Sequence, residues 1–292
     1  MGTVFELSPP ARACEGAICY WNETLLYSFT GHHDGSTPGY GNVTFDEAGS
    51  IYGTTMYGGD GDGVVWELAR TQGRWMQTVL YSFTGGSDGV TPYSGVIFDP
   101  AGNLYGNTSG YNENNSSVYE LSPSNGSWLE TTLGEVNYQI VPAYGALLRD
   151  QSGNLYGTGD GENGGVNGGV YEYSPSSGMS LLFNFGTTFC RPFAGVTLGP
   201  DGNLYGVRVN GGASNYGWVF QLPANCHQEC MRNDLHDFDL RDGGFPMGSL
   251  VFDAAGNLYG TTLGGGYDSE ACWVYGCGVV WEMTRVANSP RH

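Results

Sequence analysis

Short stretches in which apolar and polar positions alternate recur along the whole chain, separated by clusters of Gly, Asn, Asp, Ser and Pro. Val65-Trp66-Glu67-Leu68 is the clearest, with counterparts in Val118-Tyr119-Glu120-Leu121, Val170-Tyr171-Glu172-Tyr173, Val219-Phe220-Gln221-Leu222 and Val280-Trp281-Glu282-Met283. A period of two over so few residues predicts a β-strand with one buried face.

A second phrase sets the larger period. Gly49-Ser50-Ile51-Tyr52-Gly53 returns as Gly102-Asn103-Leu104-Tyr105-Gly106, Gly153-Asn154-Leu155-Tyr156-Gly157, Gly202-Asn203-Leu204-Tyr205-Gly206 and Gly256-Asn257-Leu258-Tyr259-Gly260, with the tyrosines 53, 51, 49 and 54 residues apart. Such a repeat accommodates four short strands with their turns, the content of one propeller blade. An inner strand such as Gly95–Asp99 leads through an Asp-x-x-Gly-Asn turn into the Leu-Tyr-Gly strand, and a glycine-rich loop leads on to the alternating third strand. Leu26-Tyr27-Ser28-Phe29 and Leu80-Tyr81-Ser82-Phe83 read as outer strands, echoed more weakly by Leu182–Phe185 and Leu235–Phe238. The expectation is an all-β chain, a five-bladed β-propeller of four-stranded antiparallel blades forming one domain over residues 1–292. Its repeats run roughly over 30–83, 84–133, 134–185, 186–240 and 241–283, with segment 4–29 completing the last blade.

Closure of the ring is expected to join the N- and C-terminal strands. The last repeat stops after its third strand, and Leu25–Phe29 supplies the fourth. This leaves a surplus, because Val4-Phe5-Glu6-Leu7 and Val279-Val280-Trp281-Glu282 both read as the third strand of that blade. One of them belongs elsewhere, on the outside of the ring, frayed, or paired with a neighbouring molecule by strand addition. The latter would make the chain a self-assembling filament subunit.

The combination of Asp-Gly-x-x-Pro, Gly-Asn-Leu-Tyr-Gly-Thr-Thr, a glycine-rich loop and Val-Phe-Glu-Leu resembles the tandem repeat named after Gloeobacter and Verrucomicrobia, the GloVer repeat. The resemblance covers nearly the whole chain. It implies a secreted or surface-anchored bacterial protein of propeller type and brings no catalytic residues with it. Repeats three and four depart from the pattern, with Ile140-Val141-Pro142 and Cys190-Arg191-Pro192 in place of Asp-Gly-x-x-Pro, so five equivalent ligand sites are not expected.

Composition narrows the classes further. Glycine supplies 50 residues and aromatics 14%, against 13% charged, which suits short strands joined by tight turns. The net charge of −19, with ten arginines and no lysine, repels polyanions, so nucleic acid and anionic lipid are not expected as partners. Schiff-base chemistry and a Walker-type phosphate loop need a lysine and are excluded. No apolar run approaches the length of a membrane span, and Met1–Leu7 has neither the basic nor the apolar region of a signal peptide. Six of the seven cysteines pair closely as Cys14 with Cys19, Cys226 with Cys230 and Cys272 with Cys277, leaving Cys190 over. Local disulfides in an oxidising, extracellular or cell-surface setting are the preferred reading, with zinc, helped by His227, as the rival.

In the expected propeller two sets of loops converge on one face. The first carries His32-His33-Asp34-Gly35, Asp88-Gly89, Arg191 and Arg241-Asp242-Gly243, followed just past each proline by a large residue: Tyr40, Tyr93, Tyr144, Phe193 and Met247. The second carries Tyr57, Tyr111, Tyr216, Tyr267, Trp273 and Tyr275. Aromatic faces beside polar groups suit sugars, whose C–H faces stack on rings while hydroxyls take hydrogen bonds. The candidate ligand residues are therefore Asp34, Tyr40, Asp88, Tyr93, Tyr144, Arg191, Phe193 and Asp242, with a glycan or other cell-surface polymer as the partner. The competing reading makes the aromatics blade packing and the aspartates turn caps. No cofactor is expected; Asp60-Gly61-Asp62-Gly63 and Asp160-Gly161-Glu162-Asn163 offer oxygen ligands for calcium without matching an EF-hand loop. Asp34, Asp88 and Asp242 could supply the carboxylates of a polysaccharide hydrolase or lyase, but their equivalence in the repeat favours a structural use. The expectation is a non-catalytic binding or surface module, with a filament subunit and a polysaccharide-acting enzyme as alternatives.

Overall fold

The computed structural model describes residues 1–10, 20–39, 41–110, 116–135, 141–142, 144–160, 168–186, 192–224, 226, 230–266, 272 and 275–284. It is built from antiparallel strands, with no helix among the described residues. β1 (Gly2–Ser8) and β2 (Asn22–Phe29) make an N-terminal hairpin. Sheet one contains β3 (Thr44–Phe45), β4 (Ile51–Thr55), β5 (Val64–Thr71) and β6 (Arg74–Ser82), and sheet two β7 (Ile97–Phe98), β8 (Leu104–Asn107), β9 (Ser117–Ser124) and β10 (Ser127–Glu135). Sheet three has β11 (Val141–Pro142) and β12 (Leu148–Arg149) both on β13 (Leu155–Asp160), then β14 (Gly169–Ser174) and β15 (Gly178–Asn184). Sheet four is β16 (Thr197–Leu198), β17 (Asn203–Arg208), β18 (Trp218–Pro223) and β19 (Asn233–Asp237). Sheet five has three strands, β20 (Val251–Phe252), β21 (Leu258–Thr262) and β22 (Val279–Met283).

The Tyr-Gly phrase has a steric cause. Gly53, Gly106, Gly157, Gly206 and Gly260 each lie opposite an aromatic of the third strand, Trp66, Tyr119, Tyr171, Phe220 and Trp281. A Cβ on any of the five glycines would run into that ring. Glycine, a poor strand former alone, is thus covered by a cross-strand aromatic that makes up the lost packing. The Asp-x-x-Gly-Asn turn is locked by its first residue: Asp99 accepts bonds from the Asn103 and Ala101 N–H groups (both 2.9 Å) and the Asn103 side chain (3.0 Å). Its Oδ2 also lies 3.1 Å from the Tyr105 hydroxyl, tying the turn to the strand it feeds.

Two strand expectations are corrected. The inner strands are two residues long rather than five, because their glycine-rich starts press backbone to backbone on the preceding sheet; a Cβ on Gly95 would strike the Asn42 carbonyl and one on Gly195 that of Ala146. The third strands bury two faces rather than one. Val64, Trp66 and Leu68 enter the cluster shared with the hairpin, while Val65 enters the cluster shared with sheet two. Each interior sheet is covered on both sides, so the core is a series of five clusters between successive layers, in the order hairpin, one, two, three, four, five. The last residue of the outer-strand phrase drives this stacking: Phe29 meets Trp66 at 5.6 Å, Phe83 meets Tyr119 at 5.1 Å, Phe185 meets Phe220 at 5.4 Å and Phe238 meets Trp281 at 5.8 Å between ring centres.

The ends differ from expectation as well. Leu25–Phe29 does not lie beside β22; it pairs with β1, Val4 opposite Tyr27 and Phe5 opposite Leu25. The hairpin packs on sheet one through Val4 and Phe29, as the outer half of a preceding sheet would. The local partner wins because only 13 residues separate β1 from β2, whereas β22 lies at the other end of the chain.

Candidate functional site

Three repeats share an unusual turn ahead of the post-proline residue. Thr37, Thr91 and Phe245, each preceding a proline, adopt left-handed backbone with φ of 59°, 47° and 57°, a conformation costly for residues that carry a Cβ. The cost is met by bonds across to the loop after the second strand: Met56 N–H to the Thr37 carbonyl (3.2 Å), Ser109 to Thr91 (3.2 Å) and Leu263 to Phe245 (3.1 Å). The turns and the second loop set are therefore held at the same end of the sheets.

Just past the prolines, Tyr93, Tyr144 and Phe193 come together from sheets two, three and four. Tyr93 meets Tyr144 edge to face at 4.6 Å, and Tyr144 stacks on Phe193 at 4.9 Å with 17° between the planes. All three are half-buried, so each ring keeps some accessible surface. Tyr40 and Arg191 lie outside the described residues. A second run was not anticipated: Phe245 joins Tyr216 (5.6 Å) and Tyr275 (5.1 Å), linking loops of sheets four and five. The signal was present in the sequence, since Phe245 stands where Thr37 and Thr91 stand in earlier repeats.

The three candidate aspartates are engaged in turns. Asp34 accepts bonds from the Tyr27 hydroxyl (2.8 Å), the Thr30 N–H (2.8 Å) and the Thr30 hydroxyl (2.6 Å). Burial pushes its carboxyl up, but the bonds from Thr30 and Tyr27 outweigh it and hold the group below the usual carboxylate range. Burial, together with the same carboxylate, pushes the Tyr27 phenol up to about 12. Asp88 repeats the arrangement with Tyr81 (3.0 Å), the Thr84 N–H (2.8 Å) and the Gly86 N–H (3.1 Å). Asp242 meets His236 Nε2 at 2.7 Å, the histidine standing where Asp34 and Asp88 have Tyr27 and Tyr81.

Cys226–Cys230 and Cys272–Cys277 are disulfides, which removes the zinc reading at those pairs. Cys14, Cys19 and Cys190 lie outside the described residues. No group of three His, Cys, Asp or Glu placed to hold a metal occurs among the described residues, and loop 161–163 lies outside them. No described helix is long and apolar enough to cross a membrane.

The profile of the Gloeobacter/Verrucomicrobia repeat matches residues 142–289, half of the chain. The chain belongs to that repeat family. The match begins at Pro142, the last residue of the departing phrase of repeat three, and includes the Cys190-Arg191-Pro192 phrase of repeat four. No curated protein matches the sequence. Among solved structures, a protein of unknown function from Dyadobacter fermentans is similar at 13% identity and a TM-score of 0.48, over 83% of this chain and 76% of that one. An α-L-arabinofuranosidase from Lactobacillus brevis is similar at 12% identity and 0.44, over 83% and 89%. An α-L-arabinanase from Penicillium chrysogenum gives 11% and 0.41, over 74% and 72%. Likenesses this weak assign no function to the repeat protein.

Proposed function

We propose that the protein is a non-catalytic extracellular binding module, a five-bladed β-propeller that recognises glycans through the aromatic row at the end of its sheets. The observation that carries this reading is the Tyr93–Tyr144–Phe193 row, drawn from one repeat position in three sheets and only half-buried. Adjacent rings spaced in this way offer successive sugar units a stacking platform. The commitment of Asp34 and Asp88 to their own turns speaks against a carboxylate pair for hydrolysis. The acidic surface favours neutral glycans over polyanions. Disulfides in loops of sheets four and five support an oxidising compartment.

A glycan array identifies the ligand, and titration calorimetry on the best binder tests the row. Tyr144→Ala is expected to weaken binding about tenfold, the loss of one ring contact of roughly 1.4 kcal/mol, with the thermal midpoint little changed. A wild-type protein that binds nothing on a broad array, or a Tyr144→Ala variant that binds unaltered, overturns the proposal.

A further inference from the structure

The two ends of the chain present uncovered faces that match. Val65, Val118, Val170 and Val219 hold one position in the third strands of sheets one to four, and each is 0% exposed, against the following sheet. Val280 holds that position on β22 and is 79% exposed. Thr54 and Thr158 donate hydroxyl bonds to the Ser94 and Ala194 carbonyls of the following sheets (2.8 and 2.9 Å), whereas their counterpart Thr261 is exposed.

Sheet one shows the other half of the same contact. Val43 and Phe45 are 45% and 60% exposed, while their counterparts Val96 and Val196 are buried and Phe98 and Phe252 meet Tyr52 and Tyr205 of the preceding sheet edge to face, both at 4.9 Å. Beside Val43 and Phe45 lies a cavity of about 420 Å³, bounded by β1 and Trp66. The hairpin covers only the outer part of this face, through Val4 and Phe29. Among the described residues no preceding sheet fills the cavity, and sheet five, made of β20, β21 and β22, has no next layer.

The obstacle to joining them is that β1 and β22 are the same strand twice. In sheet one Glu67 lies opposite Thr78 and Trp66 opposite Val79, with the register shifted between Val65 and Trp66. In the hairpin Glu6 lies opposite Thr24 and Phe5 opposite Leu25, with the shift between Val4 and Phe5. Glu67 faces Tyr52 as Glu282 faces Tyr259, so Val280, Trp281 and Glu282 correspond to Val4, Phe5 and Glu6. β22 therefore fits β2 in register, bulge included. It is also the better anchored of the two: five residue pairs hold it to β21, the Cys272–Cys277 disulfide closes the loop before it, and Trp281 packs on Phe238. β1 pairs with β2 alone, and its Phe5 and Leu7 are each 52% exposed.

We infer that β1 is a displaceable placeholder, and that β22 of the same chain takes its place on β2, seating β20 and β21 in the cavity and closing the ring. The donor is the same chain because a tethered strand competes at a high effective concentration. Closure sets Tyr259 against Phe45 and Thr261 against the Gly41 carbonyl, as the interior layers do. It also brings the loops of sheet five beside those of sheet one, so β1 regulates completion of the aromatic face; this last step rests on the glycan-binding reading.

The test replaces Thr24, exposed and opposite Glu6, with photoreactive benzoylphenylalanine in the full chain, and maps the adduct by mass spectrometry. Exchange predicts an adduct to residues 279–284 in the monomer band. An adduct confined to residues 2–8 overturns it, and an adduct to 279–284 found only in a dimer or polymer band overturns the same-chain donor in favour of a second copy. Deleting residues 2–8 removes the competitor and is expected to raise the thermal midpoint and tighten glycan binding about threefold, the size of a shift from a partly closed population; a lower midpoint counts against the placeholder. The crosslink needs no glycan. A 279–284 adduct in a protein that binds no sugar therefore overturns only the glycan reading.

Discussion

Val219 and Val280 hold the same position in successive repeats and in equivalent strands, yet one is sealed at 0% exposure and the other stands open at 79%. Their own strands do not account for the difference, since Val219-Phe220-Gln221-Leu222 and Val280-Trp281-Glu282-Met283 alternate alike. What differs is the next layer. Sheet five covers Val219 with Leu250 and Leu258, and nothing described covers Val280. Burial in this fold belongs to the junction between two repeats rather than to either repeat alone, as in other stacked architectures.

The largest expected effect follows directly. Val219→Asp places an unpaired carboxylate in a sealed junction and is expected to cost more than about 3 kcal/mol in urea denaturation. Val280→Asp should leave the junctions among sheets one to five intact and cost less than half as much. Equal losses would dissolve the contrast between interior and terminal layers. Next comes a pair of glycines. Gly157→Ala, driven into Tyr171 between two covered faces, is expected to cost roughly 2–3 kcal/mol. Gly260→Ala meets Trp281 in the terminal sheet, where that residue is only half-buried, and about 1 kcal/mol is expected. Calorimetry that ranks the two the other way would place the tighter packing at the end of the chain.

The smallest effect concerns pH. Burial pushes the Asp99 and Asp201 carboxyls up, but hydrogen bonds from Asn103 and Tyr105, and from Asn203 and Tyr205, more than offset it and hold both below the ordinary 3.8. A carboxylate depressed by folding contributes stability that is present above its unfolded value and lost as pH falls through the folded one. Thermal midpoints should therefore decline below about pH 4, and Asp99→Asn should lower the midpoint at neutral pH while flattening that decline. Glu130, raised by burial, acts in the opposite direction and softens the slope. A variant with an unchanged acid limb would show that the turn carboxylate is not its source.

Much of the local architecture was legible. The repeated Tyr-Gly phrase, the alternating third strand and the turn aspartates all appear where their residue patterns predict them, because each depends on neighbours a few residues away. Repeat four shows how far that legibility extends: Gly199 replaces the turn aspartate, and Asp201, two residues on, reaches the Tyr205 hydroxyl (2.9 Å) in its stead. Residue types alone left Asp34 and Asp88 open to a ligand role, and only the bonds from Tyr27 and Tyr81 show them spent on their own turns. Phe245 was passed over because its importance lies in Tyr216 and Tyr275, which approach it from other loops.

The amino-acid sequence by itself determined the strands, their turns and the fifty-residue rhythm, since propensity, glycine sterics and period are carried by residues in direct succession. Tertiary structure alone decided that the third strands bury two faces, that Tyr93, Tyr144 and Phe193 form one row, and that β2 pairs with β1. The physical reason is that two strands with the same pattern compete equally for one partner, and the choice between them rests on loop-closure entropy and on which layer comes next.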